Sequence, residues 1–377
     1  MKLNVGRPVT GDELVGRTKE VKLMLDTLKA GQSVALIAPR RFGKTSLMLE
    51  VLKQLQNEGY YTGNIDIFTI PDVGQLSFEI TKQVLKNRKL DEAFHKFRNN
   101  LAEILQNIKF RNEIQDAEFI LSFGKPERDE WEQLKNSLNF IESFSKKHNK
   151  ENCFAFDEFG DINKLDGQDI VKLFRAVVQK HESSVYIFTG SYESVMDQLF
   201  VTDKSPFYRM VRIIEPGFLS DDVIKDFIID KFNLLEIPLV EDHIKEVVKI
   251  THGHPYYTRL FIQEYFFQYR DLGTNPDIEN VVEEMLITEK NYIEKLWDEI
   301  SSKKELRLII LKIITSGGRP YTNIDNRAVN VSRAINELRG KGLIISDGYT
   351  YQLTDPLLEF YLRRNVLKQG PEKWILP

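Results

Sequence analysis

A parallel three-layer α/β sheet, followed by an α-helical unit and a C-terminal winged-helix domain, is the fold class this sequence predicts. Three observations carry it. Short apolar runs alternate with amphipathic helical stretches through the first 215 residues, as parallel strands joined by crossover helices require. After Pro216-Gly217 the apolar residues recur only at helical spacing. From about residue 303, two helical stretches lead into two short strand-like runs around Asp347-Gly348, a helix–helix–hairpin order.

Residues 33–38 form an apolar run that fits a strand buried on both faces. Residues 45–57 follow as a helix, with Met48, Val51, Leu52 and Leu55 on one side and Gly59 at the C-cap position. Further strands are expected at 64–70, 153–157, 184–190 and 211–215, with helices at 76–85 and 131–144 between them. The connection 71–151 reads as a mostly helical insertion with a hairpin near 108–123, and no function is assigned to it. Ser220 is expected to cap a helix bearing Val223, Ile224, Phe227 and Ile228, and more helices start at Glu241, Pro255 and Asp277. The last part combines helices at 305–315 and 329–341 with strands at 343–346 and 349–353. Domains are therefore expected at 1–215, 216–302 and 303–377.

The 377 residues are 42% apolar and 29% charged, a composition that excludes a disordered chain. Lys and Arg number 52 against 56 Asp and Glu, so nucleic-acid contact would need a local basic patch. Cys153 is the single cysteine, which excludes a disulfide framework and a multi-thiolate metal site. It reads as a buried core thiol. The opening residues lack the apolar core of a secretion signal, and no apolar stretch is long enough for a membrane span. The expectation is a cytoplasmic protein in a reducing compartment, without membrane contact.

The most specific feature is Ala38-Pro39-Arg40-Arg41-Phe42-Gly43-Lys44-Thr45-Ser46. It fits the phosphate-loop pattern G-x-x-x-x-G-K-[ST], with Ala38 in place of the first glycine. Such a loop wraps backbone N–H groups around a phosphate, and the following helix points its positive end at the same anion. Lys44 would reach the β and γ phosphates of a nucleotide, and the Thr45 hydroxyl would join a Mg²⁺ shell. Ala38 suits the turn if its φ stays negative.

The run Cys153 to Phe156 ends in Asp157-Glu158. Asp157 would hold Mg²⁺ through water, and Glu158 would orient or deprotonate the attacking water. Asp157-Glu158-Phe159-Gly160 and Asn163-Lys164-Leu165-Asp166 also imitate the D-x-x-G and N-K-x-D pair of GTPases. A guanine-reading Asp must stand at the base end of the nucleotide, on another strand. With only two residues between these motifs, the geometry argues against GTP.

The blocks LVGRTKE, PRRFGKTSL, FAFDEFGDI, FTGSYESVM, SPFYR and HGHPYYTRL occur in an order that resembles the archaeal-type P-loop ATPases of the AAA+ superfamily, near the origin-recognition initiators and the STAND ATPases. The resemblance runs from Leu14 to about Arg364. It implies an ATP/ADP site with Mg²⁺ and ATP hydrolysis. Val15, Gly16 and Arg17 would lie at the adenine, with Pro39, Arg40, Arg41, Phe42, Gly43, Lys44, Thr45 and Ser46 around the phosphates. Ser191 would be the polar sensor near the γ-phosphate, and His254 and Pro255 would belong to a lid over the base. Gly16 has the alternative of a simple turn, and Gly253-His254-Pro255 that of a helix start with Pro near N1. Arg209 would be an arginine finger. It stands one place earlier than the family pattern has it, and Arg212 competes for the role.

Two functions follow as expectations. One is a molecular switch in which ATP closes the lid, slow hydrolysis reopens it and the winged helix reports the state to a partner, with a homo-oligomer as one form. The other is a DNA-binding protein in which ATP is structural or regulatory. Arg327, Arg333, Arg339 and Lys341 speak for DNA; Asp325, Glu337 and Asp347 speak against it.

Overall fold

The computed structural model describes residues 5–88, 129–191, 193–322 and 330–369. The hairpin expected at 108–123 lies outside the described residues, as do Asp325 and Arg327. Strands β1 (Ser33–Ile37), β2 (Tyr61–Asp66), β3 (Asn152–Asp157), β4 (Ser184–Gly190) and β5 (Val211–Ile214) form one sheet. Their order is β2-β3-β4-β1-β5 and every pairing is parallel.

β1, β3 and β4 are buried along their whole length, hence their uninterrupted apolar sequences. Successive side chains alternate between two cores, following the two-residue period of a strand. Val34, Leu36, Cys153 and Ala155 pack with helices Thr18–Lys29 and Lys44–Asn57. Ala35, Ile37, Phe154 and Phe156 pack with helices Val73–Lys86, Glu130–His148 and Asn163–Val178. The result is three layers. Cys153 is fully buried, and burial pushes its thiol pKa well up.

Two boundaries differ from expectation in ways that matter. β2 ends at Asp66, because the Asp66 carboxylate accepts from the Phe68 N–H and turns residues Ile67–Thr69 into a 3₁₀ turn. Asp66 thereby stands at a strand end, in register with Asp157. In the C-terminal hairpin, β6 (Ile344–Asp347) and β7 (Thr350–Leu353) pair Asp347 with Thr350. The two loop residues are then Gly348-Tyr349, one later than the Asp-Gly pair suggests. Gly348, at φ 61°, supplies the positive φ that a tight hairpin turn needs.

Beyond β5 come helices Asp221–Leu234, Glu241–Thr251, Pro255–Leu272, Ile278–Ser301, Lys304–Thr315 and Val331–Gly340. With the hairpin and helix Pro356–Tyr361 they share one apolar core, from Ile224 to Leu362. Ser220 takes the N-cap position of Asp221–Leu234 without a side-chain capping bond. Among the described residues no helix is long and apolar enough to cross a membrane.

Candidate active site

The loop between β1 and helix Lys44–Asn57 opens at the C-terminal edge of the sheet, where strand order reverses around β1. Gly43 adopts φ 87° at the helix N-cap, and a Cβ there would meet nothing within 4 Å. Glycine is needed for the backbone conformation, with space to spare around it. Ala38, the departure from the motif, is buried and is not among the positive-φ residues. Lys44 is buried, and its ammonium donates to Ala38 O (2.9 Å), Pro39 O (3.0 Å) and Ser191 Oγ (2.8 Å). Burial lowers its pKa to about 8, against the opposing pull of Glu158 and Asp157.

The acids at the end of β3 meet this loop. Thr45 Oγ1 donates to Asp157 Oδ2 at 2.9 Å. Asp157 Oδ1 accepts from Thr189 Oγ1, and Thr189 Oγ1 in turn accepts from the Glu158 N–H at 3.1 Å. Glu158 sits in the left-handed region at φ 49°, a sharp exit from the strand that turns its carboxylate toward β4. There Oε1 accepts from Ser191 Oγ (2.6 Å) and Oε2 from Ser191 N (3.2 Å). Sequence reasoning missed Thr189 and Asp66. The available signal for Thr189 was a buried hydroxyl inside an apolar run, one step from the strand end.

A cleft of about 660 Å³ runs from these residues between the sheet and the helical segment. Val15, Arg17, Arg40, Arg41, Phe42, Gly43, Lys44, Thr45, Ser46, Asp157, Glu158, Ser191 and Pro255 all border it. Gly16 adopts φ 70°, and a Cβ on it would come within 2.4 Å of Val223 Cγ1, so this glycine allows the segment to pack on the first helix after β5. The Arg17 guanidinium is buried and donates to Glu20 (2.9 Å), Gly217 O (2.6 Å) and Phe42 O (3.4 Å). It ties together three segments, and burial lowers its pKa. Ser46 Oγ accepts from Val9 N at 3.1 Å.

His254 is buried behind the loop, edge-on to Phe42 with ring centroids 4.7 Å apart. Its Nδ1 accepts from Tyr256 N and caps helix Pro255–Leu272, with Pro255 at the first helical positions. Burial, with Arg41 nearby, lowers its pKa to about 3, so the ring is neutral. Arg41, at φ 67°, leaves the phosphate loop toward the helical segment. It pairs with Glu289 at 2.7 Å and lies over the rings of Tyr256 (4.3 Å) and Tyr292 (4.4 Å). Glu289 also accepts from the Tyr256 hydroxyl.

Arg209 and Arg212 are not brought to this cleft. Val211 pairs with Ser33 and Arg212 with Val34, at the N-terminal end of β1. The phosphate loop leaves the other end of that strand, roughly 13 Å or more away at strand rise. Arg209 is exposed, over the ring of Tyr208 at 5.2 Å. Asn163 begins a helix just past Glu158, at the phosphate end of the cleft.

Among the described residues no group of three or more His, Cys, Asp or Glu side chains is disposed to enclose a metal. A phosphate-bound Mg²⁺ needs less, since it keeps waters and takes one or two protein oxygens. Thr45 Oγ1 and Asp157 Oδ2 supply such hard donors beside the loop. Burial, then the charge of Asp157, raises the pKa of Asp66.

Residues 14–261 match a family described as an ATPase domain predominantly from Archaea. A search of curated proteins gives no match. Among solved structures, the chain is similar to the Walker-type ATPase PABY2304 of Pyrococcus abyssi, at 19% identity and TM-score 0.69, covering 96% of this chain and 100% of that one. It is also similar to the ORC1 protein of Aeropyrum pernix, solved in complex with DNA, at 13% identity and TM-score 0.50, covering 94% of each chain. At these identities the structures speak for a shared fold alone. The family match and the phosphate loop go further: this chain belongs to the archaeal family of P-loop ATPases and is an ATP-hydrolysing enzyme.

Proposed function

We propose that the chain is a nucleotide-dependent switch, in which ATP occupancy at the sheet edge sets the position of the helical segment and a C-terminal winged helix carries that state to a partner. The observation that carries this reading is the double attachment of the phosphate loop. Arg41 of the loop pairs with Glu289 of the helical segment, and Arg17 bonds both Phe42 O and Gly217 O. A phosphate entering the loop therefore competes for groups that hold the two parts together. Lys44 would bind the β and γ phosphates, and Thr45 and Asp157 would hold Mg²⁺, which supplies charge neutralisation when bound. Glu158 would take a proton from the attacking water, with Ser191 orienting its carboxylate. Arg209 and Arg212, remote from the chain's own loop, suit an arginine finger offered to a neighbouring copy, and turnover would then rise with protein concentration.

Lys44→Ala tests the site: it should abolish ATP binding or turnover while the circular dichroism spectrum is retained, and unaltered turnover overturns the assignment. The order helix, helix, hairpin supports the winged-helix reading. Its second reading, DNA binding, is favoured by exposed Arg333 and Arg339 on Val331–Gly340 and by the DNA complex of the Aeropyrum pernix relative. If DNA is the partner, affinity for a duplex falls steeply with salt and is lost in Arg333→Glu/Arg339→Glu, while ATP turnover persists. Absence of any duplex shift at low salt assigns the unit to a protein partner.

A further inference from the structure

A second cavity, of about 300 Å³, lies on the other side of the phosphate loop. It borders Arg40, Arg41 and Ser191, which also border the main cleft, so both spaces adjoin the phosphate loop. Its remaining charged walls are Lys295 and Glu299 from helix Ile278–Ser301, Lys341 just after helix Val331–Gly340, and Asp355. Four cations thus face two acids. One of the acids, Asp355, is already bonded by the Tyr257 hydroxyl (2.7 Å) and by Leu358 N (2.9 Å). Glu299 pairs with Lys341 at 2.7 Å, and Arg41 with Glu289. Lys295 is exposed at the mouth and makes no ion pair among the described residues.

The main cleft has the opposite character beyond Lys44. Asp66, Asp157, Glu158 and Asp161 all line it there. An inorganic phosphate formed beside Glu158 would be repelled by these four carboxylates, while the remaining ADP occupies the rest of the cleft. On the loop's other flank Lys295 and Lys341 join Arg40 and Arg41, which border both spaces, against the two carboxylates of Glu299 and Asp355. Arg40 links the two regions, since its charge acts on Lys44 in the main cleft and on Glu299 in the second cavity. A volume of 300 Å³ equals about ten water molecules, enough for a hydrated phosphate.

We propose that this cavity is a phosphate-release site, through which the cleaved phosphate passes from Ser191 and Arg40 to Lys295 and Lys341 before reaching solvent. The proposal rests on ATP hydrolysis at the main cleft. No covalent step occurs in it; the phosphate changes only its counterions.

The test uses the full chain in single turnover with Mg·ATP, following chemistry by acid quench and release by a fluorescent phosphate-binding reporter. Lys295→Glu should leave the quench rate within about twofold and slow release at least tenfold. Lys290→Glu, an exposed charge reversal on the same helix, should change neither. Equal release rates in Lys295→Glu and the wild type overturn the proposal. A second measurement does not depend on turnover: equilibrium dialysis of labelled inorganic phosphate against ADP-saturated protein. Lys295→Glu should weaken that binding at least fivefold, and unchanged binding overturns the proposal. Loss of phosphate binding in Lys44→Ala alone, with Lys295→Glu unaffected, leaves the nucleotide site standing and removes the release site.

Discussion

The Lys44 ammonium donates to the Ser191 hydroxyl at 2.8 Å, and the same hydroxyl donates onward to Glu158. The side chain for binding phosphate and the side chain for activating water are thus joined through one oxygen. A γ-phosphate drawing Lys44 toward itself weakens its hold on Ser191, so phosphate arrival is felt at the base.

This arrangement separates two substitutions. Glu158→Gln keeps the size of the side chain but loses its basicity, so kcat should fall about 10²- to 10⁴-fold with ATP binding retained. Ser191→Ala removes a bond to a charged group on either side, and its kcat should fall by about tenfold to a hundredfold. Rapid-quench kinetics with retained-nucleotide analysis checks both. Equal losses in binding and turnover for Glu158→Gln would remove its role as base.

Thr189 offers a second test. Its buried hydroxyl donates to Asp157 and accepts from Glu158 N. Thr189→Val removes one partner from each, while Asp157 keeps Thr45 and Glu158 N keeps Asp157 Oδ1, at a cost of about 1 kcal/mol in unfolding free energy. The Mg²⁺ concentration needed for half-maximal ATP binding should also rise, and Thr189→Ser should restore it. A stability loss without a change in Mg²⁺ dependence would make Thr189 a core residue only.

The contrast between Lys44 and Arg17 shows which parts of this site were legible. Strand, loop and helix around Lys44 are contiguous, so motif and periodicity point to one place in space. The Asp157–Glu158 pair was legible because a buried strand ending in two acids carries its own signal. Arg17 and His254 were assigned to the base by resemblance, yet their surroundings are set by partners distant in sequence: Arg17 by Phe42 and Gly217, His254 by its edge-on contact with Phe42. No local pattern encodes such contacts. Asp66 was hidden because the β2 run was expected to end four residues later, at Ile70, and only the turn at Phe68 reveals Asp66 as a strand end. The Arg41–Glu289 pair spans 248 positions and leaves no trace in either neighbourhood.

That pair makes a prediction about coupling. Glu289 is 5% exposed and Arg41 31%, so Arg41→Ala strands a buried carboxylate next to the Tyr256 hydroxyl. Breaking a buried pair costs about 3–5 kcal/mol, and the partial exposure of Arg41 puts this one at the lower end. Arg41→Ala combined with Glu289→Gln should be less destabilised than the two single changes added together. Urea unfolding of the four proteins completes the cycle. Strict additivity would mean that the pair does not couple loop to helices.

The pKa of Lys44 supplies the last prediction. Burial lowers it to about 8 from an ordinary value of 10.5. A lysine depressed in the folded state binds fewer protons there than in the unfolded chain between about pH 8 and 10.5. Through this group, stability of the nucleotide-free protein therefore rises with pH across that window. Nucleotide phosphates reverse the depression by giving the ammonium an anionic partner. At pH 8 the free amine is about half protonated, so ATP binding should take up about half a proton, and little at pH 6. The phosphate's own second ionisation, near pH 6, is complete at pH 8 and does not mask the uptake. Calorimetric titrations at pH 8 in buffers of different ionisation enthalpy read the number directly. The apparent enthalpy should vary linearly with buffer enthalpy, with a slope whose sign denotes uptake. A flat line at pH 8, with binding intact, would mean that Lys44 is fully charged before ATP arrives and that its buried bonds to Ala38 O, Pro39 O and Ser191 are enough to hold the proton.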